Sequence, residues 1–304
     1  MLEEFRNAFQ RPNNAHVQLI FINVVVFLVL AVLYVFSTAA KFTPFFDAIH
    51  AQLAIPAPFF TFLTKPWTLI TYSFVHDLTG IFHILFNMLA FYWFGKLFIE
   101  YLGSDKLIAL YVLGAIAGGV SYLIVYNTIP FYGERIPVHG MVGASAAVYA
   151  VLVATATLLP DYTFFLLFLG PVKIKYIAFV YIVISFLGSV GGNAGGNVAH
   201  LGGALIGFVY IKQLQIGVNW GTWITATVDW IKGLFASQPK VKVTYRNPEP
   251  KSKAGSSSPS SKPVSRGSKA SQDEIDAILD KISDRGYESL SKEEKEKLFN
   301  ASKK

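Results

Sequence analysis

Five side chains in this 304-residue chain are of types that could do chemistry together: Ser145, His200, His83, Asn87 and Tyr149. Ser145 sits in GMVGASAAVY (140–149), a lone hydroxyl among glycines and alanines, just before the apolar run VLVATATLL. His200 lies in AHLGGALIG (199–207). A serine hydroxyl beside an imidazole is a nucleophile with its general base. Acyl transfer also needs donors for the oxyanion that develops. The backbone N–H of Ser145 at a helix N-terminus could supply one. The side chains of His83 and Asn87, four apart and so on one helix face, could supply others. His76, seven before His83, joins that face if the helix extends back so far. No Asp or Glu lies in the last three apolar runs, so a dyad is expected, with His200 oriented by packing. Tyr149, four after Ser145, is placed to stack on the imidazole.

The elements that must hold these groups are membrane spans. The chain is 53% hydrophobic and 15% charged, with a mean hydropathy of +0.45, whereas soluble domains carry about 25% charged residues. Crossing the hydrocarbon core as helix takes roughly 20 apolar residues. Six runs qualify: 18–37, 80–100, 107–126, 142–159, 174–190 and 198–216. The first is too long for a signal peptide and lacks a small-residue cleavage site, so it reads as a retained anchor. The net charge of +7 does not point to nucleic acid, because 17 of the 26 Lys and Arg residues follow residue 211. A basic tail beside a membrane reads as orientation and lipid contact. With the N-terminus inside, the inner segments hold Arg6, Arg11, Lys96, Lys106, Lys173 and Lys175, against Lys41, Lys65 and Arg135 outside. Positive charge marks the cytoplasmic side. Both termini are therefore expected in the cytoplasm, and the bilayer is expected to be the cell (inner) membrane.

Spans two, four and six then all begin at the outer face. His83, Asn87, Ser145 and His200 share one shallow layer, roughly 5–10 Å deep if each lies one to two turns in. A dyad also needs spans four and six nearly in contact. Gly203 and Gly207 share a face with His200, and Ala146, Ala147, Ala150 and Ala154 keep span four slim, the small-residue surface that close helix approach requires. Taken singly, the serine and the glycines read as packing, and a His–Asn pair as easily marks an ion or proton path. Together, at one depth, they favour catalysis.

The remaining segments divide the chain into 1–17 (cytoplasmic), 18–216 (membrane domain), 217–245 (juxtamembrane), 246–270 and 271–304. The loop 38–79, broken by prolines and rich in aromatics, is expected to lie in the outer interface, with Trp67 and Tyr72 in its belt. FFLLFLG (164–170) is expected at the interface as well. The Ser/Pro/Lys-rich stretch 246–270 reads as a disordered linker. A capping box, Ser271 with Glu274, starts a short helix with the stripe Ile275, Ile278, Leu279 and Ile282, ended by Gly286. Ser291 with Glu294 starts another. This small pair is expected to dock on an unknown cytoplasmic partner.

These residues resemble the rhomboid intramembrane serine proteases over about 18–216. In that family a GxSG motif opens the fourth span; GASA here, with Gly143, places the nucleophile at Ser145. An AHxxG pattern holds the base, matched by AHLGG at His200. HxxxN in the second span is matched by His83 and Asn87, whose side chains the resemblance makes oxyanion contributors. A first-loop WR-x-x-T-x-x-x-x-H motif is matched by Trp67, Thr71 and His76, and the tyrosine four after the serine by Tyr149. The terminal helical pair resembles an appendage of rhomboids from Bacteroidetes-type bacteria. Two departures stand out. Thr68 replaces the motif arginine, which should loosen the first loop, and Ala146 replaces the glycine after the serine, a methyl that could crowd the oxyanion site or the packing of span four. The resemblance implies a six-helix, all-α bundle with no metal or cofactor. Its reaction is Ser–His hydrolysis of peptide bonds in or beside the transmembrane helices of protein substrates. The alternatives are a catalytically inactive rhomboid-like protein that binds or escorts membrane clients, and a polar conduit. Against a conduit, no acidic relay crosses the bilayer.

Overall fold

The computed structural model describes residues 13–78, 80–134, 136–137, 140–235 and 272–302. The chain forms two compact units, 1–238 and 239–304. The expected linker 246–270 and the Ser271 cap lie outside the described residues.

In the first unit the long apolar runs become α1 (Ala15–Ala39), α5 (Ile81–Leu102) and α6 (Ser104–Thr128). Between α1 and α5 the chain makes three short helices, α2 (Thr43–Leu53), α3 (Phe59–Leu63) and α4 (Thr68–Thr71), the last running into a 3₁₀ turn, Tyr72–Phe74. After α6 come α7 (Pro130–Gly133), α8 (Ser145–Leu158), a hairpin of β1 (Thr163–Leu166) and β2 (Gly170–Lys173), α9 (Ile174–Gly188), α10 (Ala194–Gln215) and α11 (Thr222–Phe235). Among the described residues, α1, α5, α6 and α10 are long and apolar enough to cross a membrane. The unit is an all-α polytopic membrane bundle, its one described sheet being the β1–β2 hairpin.

α8 is the central helix. Every residue from Ala146 to Ala156 is buried, which its run of Ala and Val permits only if its neighbours also present small side chains. They do. A Cβ added at Gly203 of α10 would stand 2.0 Å from the Ala146 carbonyl oxygen, and one at Gly207 would stand 2.2 Å from that of Ala150. On α6, a Cβ at Gly114 would meet the Ala150 Cβ at 2.7 Å, and one at Gly118 would meet the Ala146 Cβ at 2.5 Å. The backbones of α6, α8 and α10 therefore touch, and no larger residue fits between them.

The first loop is tied down rather than loose. Thr68, in place of the motif arginine, is fully buried and donates to the Lys65 carbonyl at 2.7 Å. Three side chains from this segment then cap the last turn of α2. Trp67 Nε1 donates to the Gln52 carbonyl at 2.8 Å, Thr71 Oγ1 to that of Leu53 at 2.9 Å, and Lys65 Nζ to that of Ala51. A cation at a helix C-terminus also meets the negative end of its dipole. Trp67 is half exposed, but Tyr72 corrects the interfacial-belt expectation. It is buried and donates to the Ala115 carbonyl of α6 at 2.7 Å, lying against Gly118 and Gly119.

α1 carries a buried polar group part-way along its length. Asn23 is fully buried and donates to Tyr111 Oη of α6 at 3.1 Å, while that hydroxyl donates to the Ser73 carbonyl at 2.7 Å. This network fixes an otherwise lipid-facing helix to the bundle. The stretch 164–170 forms the end of β1, the turn and the first residue of β2, with Phe165, Leu167, Phe168 and Leu169 largely exposed. At its base Asp161 accepts from Lys173 and Lys175 at 2.9 and 2.8 Å.

The second unit holds α12 (Gln272–Arg285), a 3₁₀ turn (Tyr287–Ser289) and α13 (Lys292–Ser302). The capping box at Ser291 is reciprocal. Ser291 N–H donates to Glu294 Oε2 at 2.7 Å, and Glu294 N–H donates to Ser291 Oγ at 3.2 Å. Gly286, at φ +78°, ends α12 in a conformation that favours glycine, its N–H on the Ile282 carbonyl. Of the expected stripe, Ile278 is buried, whereas Leu279 is half exposed, because two helices of this length cover only a narrow face.

Candidate active site

Ser145 is the first residue of α8, and the loop before it is held by backbone pairing. Met141 and Ile55 exchange N–H···O bonds of 2.9 and 3.1 Å, and Gly143 N–H donates to the Tyr72 carbonyl at 3.0 Å. Gly140, at φ +73°, has no room for a side chain, since a Cβ would stand 2.6 Å from the Ile55 carbonyl oxygen. Gly143 also has positive φ, +135°, and presents its bare Cα to the His83 ring. The first three N–H groups of α8, those of Ser145, Ala146 and Ala147, have no helical acceptor.

His200 enters from α10. Its Nε2 lies 2.7 Å from Ser145 Oγ. The Tyr149 ring lies 4.2 Å from the imidazole, nearly parallel at 11°. The glycine contacts at Gly203 and Gly207 produce this approach, because a larger residue at either would push α10 off α8 and lengthen the bond. On the other side of His200, Nδ1 lies 3.1 Å from Ser185 Oγ of α9, and Ser185 Oγ lies 2.8 Å from Tyr149 Oη.

The α5 residues divide. A Cβ at Gly143 would touch His83 Cε1 at 3.3 Å and Ser145 Oγ at 3.5 Å, so the His83 imidazole borders the serine. Asn87 turns one of its two amide N–H groups to its own helix, donating to the His83 carbonyl at 2.8 Å. His76 corrects the single-face expectation. α5 begins only at Ile81, and His76 lies in the preceding loop, buried, with its ring edge-on to His83 at 5.5 Å. The methyl of Ala146 faces α6, at Gly118, rather than the serine oxygen.

The rhomboid-domain profile matches residues 63–215, half of the chain and the whole of the segment that carries this constellation. The chain belongs to the rhomboid family. This rhomboid is 33% identical over 160 residues to the RHOMBOID-like protein 12, mitochondrial, of Arabidopsis thaliana, a match covering 49% of this chain and 47% of that one. It is 31% identical over 147 residues to the rhomboid protease GlpG of Haemophilus influenzae, covering 48% of this chain and 69% of that protein. Rhomboid protein 1, mitochondrial, of Saccharomyces cerevisiae is 31% identical over 164 residues, 49% of this chain and 42% of that one. The chain thus spans about half the length of the plant and yeast relatives. Residues 267–304 match a family of unknown function (DUF6576).

Two members of the constellation escaped the reading of the sequence. Ser185 is fully buried within an otherwise apolar run, IVISFLG, and a single hydroxyl in such a run carried no spacing signal. Gly118 lies in GAIAGG, where the glycines read as ordinary small-residue packing until the Ala146 methyl is placed against them.

Proposed function

We propose that this rhomboid is an intramembrane serine endopeptidase that cleaves transmembrane segments of membrane proteins by a Ser145–His200 dyad. The observation that carries the reading is the 2.7 Å separation of Ser145 Oγ and His200 Nε2. Ser145 Oγ attacks the scissile carbonyl carbon while His200 Nε2 accepts its proton. The imidazolium then returns that proton to the leaving amine as the C–N bond breaks, giving an acyl-enzyme. Water, deprotonated by the same nitrogen, releases the acid and restores the serine. The N–H groups at the start of α8, with the His83 imidazole and the free N–H of Asn87, are the donors for the oxyanion. The substrate helix must unwind locally, because its own hydrogen bonds shield the scissile carbonyl.

On this reading α8 and α9 complete a set of six spans. α8 has 14 residues, about 21 Å at a rise of about 1.5 Å per residue, less than the ~30 Å hydrocarbon core. The protein-lined, non-helical loop 140–144 makes up the difference, which is how irregular backbone is tolerated at depth. The serine is then recessed below the outer face, with both termini cytoplasmic, in the cell membrane. The tail unit is a docking element for a cytoplasmic partner.

A serine-directed fluorophosphonate probe tests the reading directly. Wild type should label, and Ser145→Ala and His200→Ala should lose both labelling and cleavage of a helix-destabilised transmembrane reporter, at unchanged expression. Equal labelling of wild type and Ser145→Ala would leave the inactive, client-binding reading in its place.

A further inference from the structure

The imidazole of His200 has two nitrogens, and only the tautomer with a bare Nε2 can take the Ser145 proton. In a triad a carboxylate on Nδ1 selects it. Among the described residues no carboxylate bonds Nδ1, whose partner is Ser185, and the protons around Nδ1 can be counted. Tyr149 Oη lies 3.3 Å from the Tyr181 carbonyl oxygen, which can only accept. The single Tyr149 proton goes there, so toward Ser185 the phenol oxygen is an acceptor. Ser185 Oγ, at 2.8 Å, therefore gives its one proton to Tyr149. What remains for His200 Nδ1, at 3.1 Å, is a lone pair on the Ser185 oxygen. In that arrangement Nδ1 carries the hydrogen, and Nε2 faces Ser145 bare.

We propose that Ser185 is a positioning residue that sets the tautomer of His200 through a one-way hydrogen-bond relay, His200 Nδ1–H to Ser185 to Tyr149 to the Tyr181 carbonyl. The relay ends on a backbone oxygen that can only accept, so reversing it would take the Tyr149 proton away from that acceptor, and the direction is favoured without an ion in the membrane. It substitutes a neutral chain for the charged third member, where a buried carboxylate would be costly. It also gives the Tyr149 ring two tasks, stacking on the imidazole and passing the relay onward, and ties α8, α9 and α10 together at one hydroxyl.

This inference rests on the serine-protease reading for its kinetic consequence, but not for its spectroscopic one. In liposomes at neutral pH, histidine-selective ¹⁵N spectra should show Nδ1 of His200 protonated and Nε2 bare, the signals assigned by their loss in His200→Asn. Ser185→Ala should yield a mixture of tautomers. A wild-type Nε2–H, or a Ser185→Ala spectrum identical to wild type, overturns the relay. In turnover of the reporter, Ser185→Ala should lower kcat about three- to tenfold, the worth of one hydrogen bond, with KM unchanged. Ser185→Thr restores the hydroxyl and should restore kcat, while Ser185→Val, of the same shape without it, should not. Equal kcat for the Thr and Val variants overturns the proposal. If wild type neither labels with fluorophosphonate nor cleaves, the protease reading fails by itself and the ¹⁵N spectra still decide the relay.

Discussion

At the scale of single residues, the constellation turns on one methyl group. Ala146 stands where the family motif has glycine, and its side chain is received by Gly118, where an added Cβ would lie 2.5 Å away. Gly118→Ala alone should therefore overpack the α6–α8 contact and cost about 1–3 kcal/mol. Combining it with Ala146→Gly should recover part of that loss, read as a positive coupling in a double-mutant cycle of thermal stability in detergent. Recovery stays partial because Tyr72 Oη and the Ala199 carbonyl would still crowd the new methyl, at 2.9 and 3.0 Å. Ser145, His200 and Tyr149 were legible in the sequence because each has a distinctive type at a spacing that a helix converts into a shared face. Ser185 was not. Its partners lie 15 and 36 residues away, and only tertiary approach makes its hydroxyl differ from any other in a span.

At the scale of elements, the helices were legible from apolar run lengths, though α8 is shorter than the run that announced it, 145–158 against 142–159. The reason is that residues 140–144 spend their backbone groups on Ile55 and Tyr72 instead of on a helix. The hairpin was hidden because FFLLFLG is uniformly apolar and shows no alternation. Its turn region faces fully outward at Leu167 and Phe168, 88% and 92% exposed, so it should sit among lipids. A Phe168→Trp variant should have its fluorescence quenched by spin-labelled lipid, and unquenched emission would place the turn in water. The hairpin base titrates separately. Lys175 and then Lys173, donating to Asp161, hold its carboxyl at about 2, below the ordinary 3.8. Its stabilising contribution is complete above the ordinary value and fades as pH falls through about 2. The base should thus stay closed at pH 4, which a carboxyl ¹³C titration of Asp161 would check.

At the scale of the whole molecule, orientation was argued from lysines and arginines in loops, and a tag after Lys304 tests it. The tag should resist modification in intact cells and become accessible on permeabilisation, whereas surface reactivity would invert the proposed topology. The site itself is assembled from segments far apart in sequence. Met141 pairs with Ile55, so the strap that leads into Ser145 is stitched to the chain ahead of α3. A compound wedged between those two backbones would displace the serine without ever contacting it. On the proposed protease reading, such an inhibitor would need no electrophilic warhead, because it would act on the backbone that holds Ser145 and not on its hydroxyl.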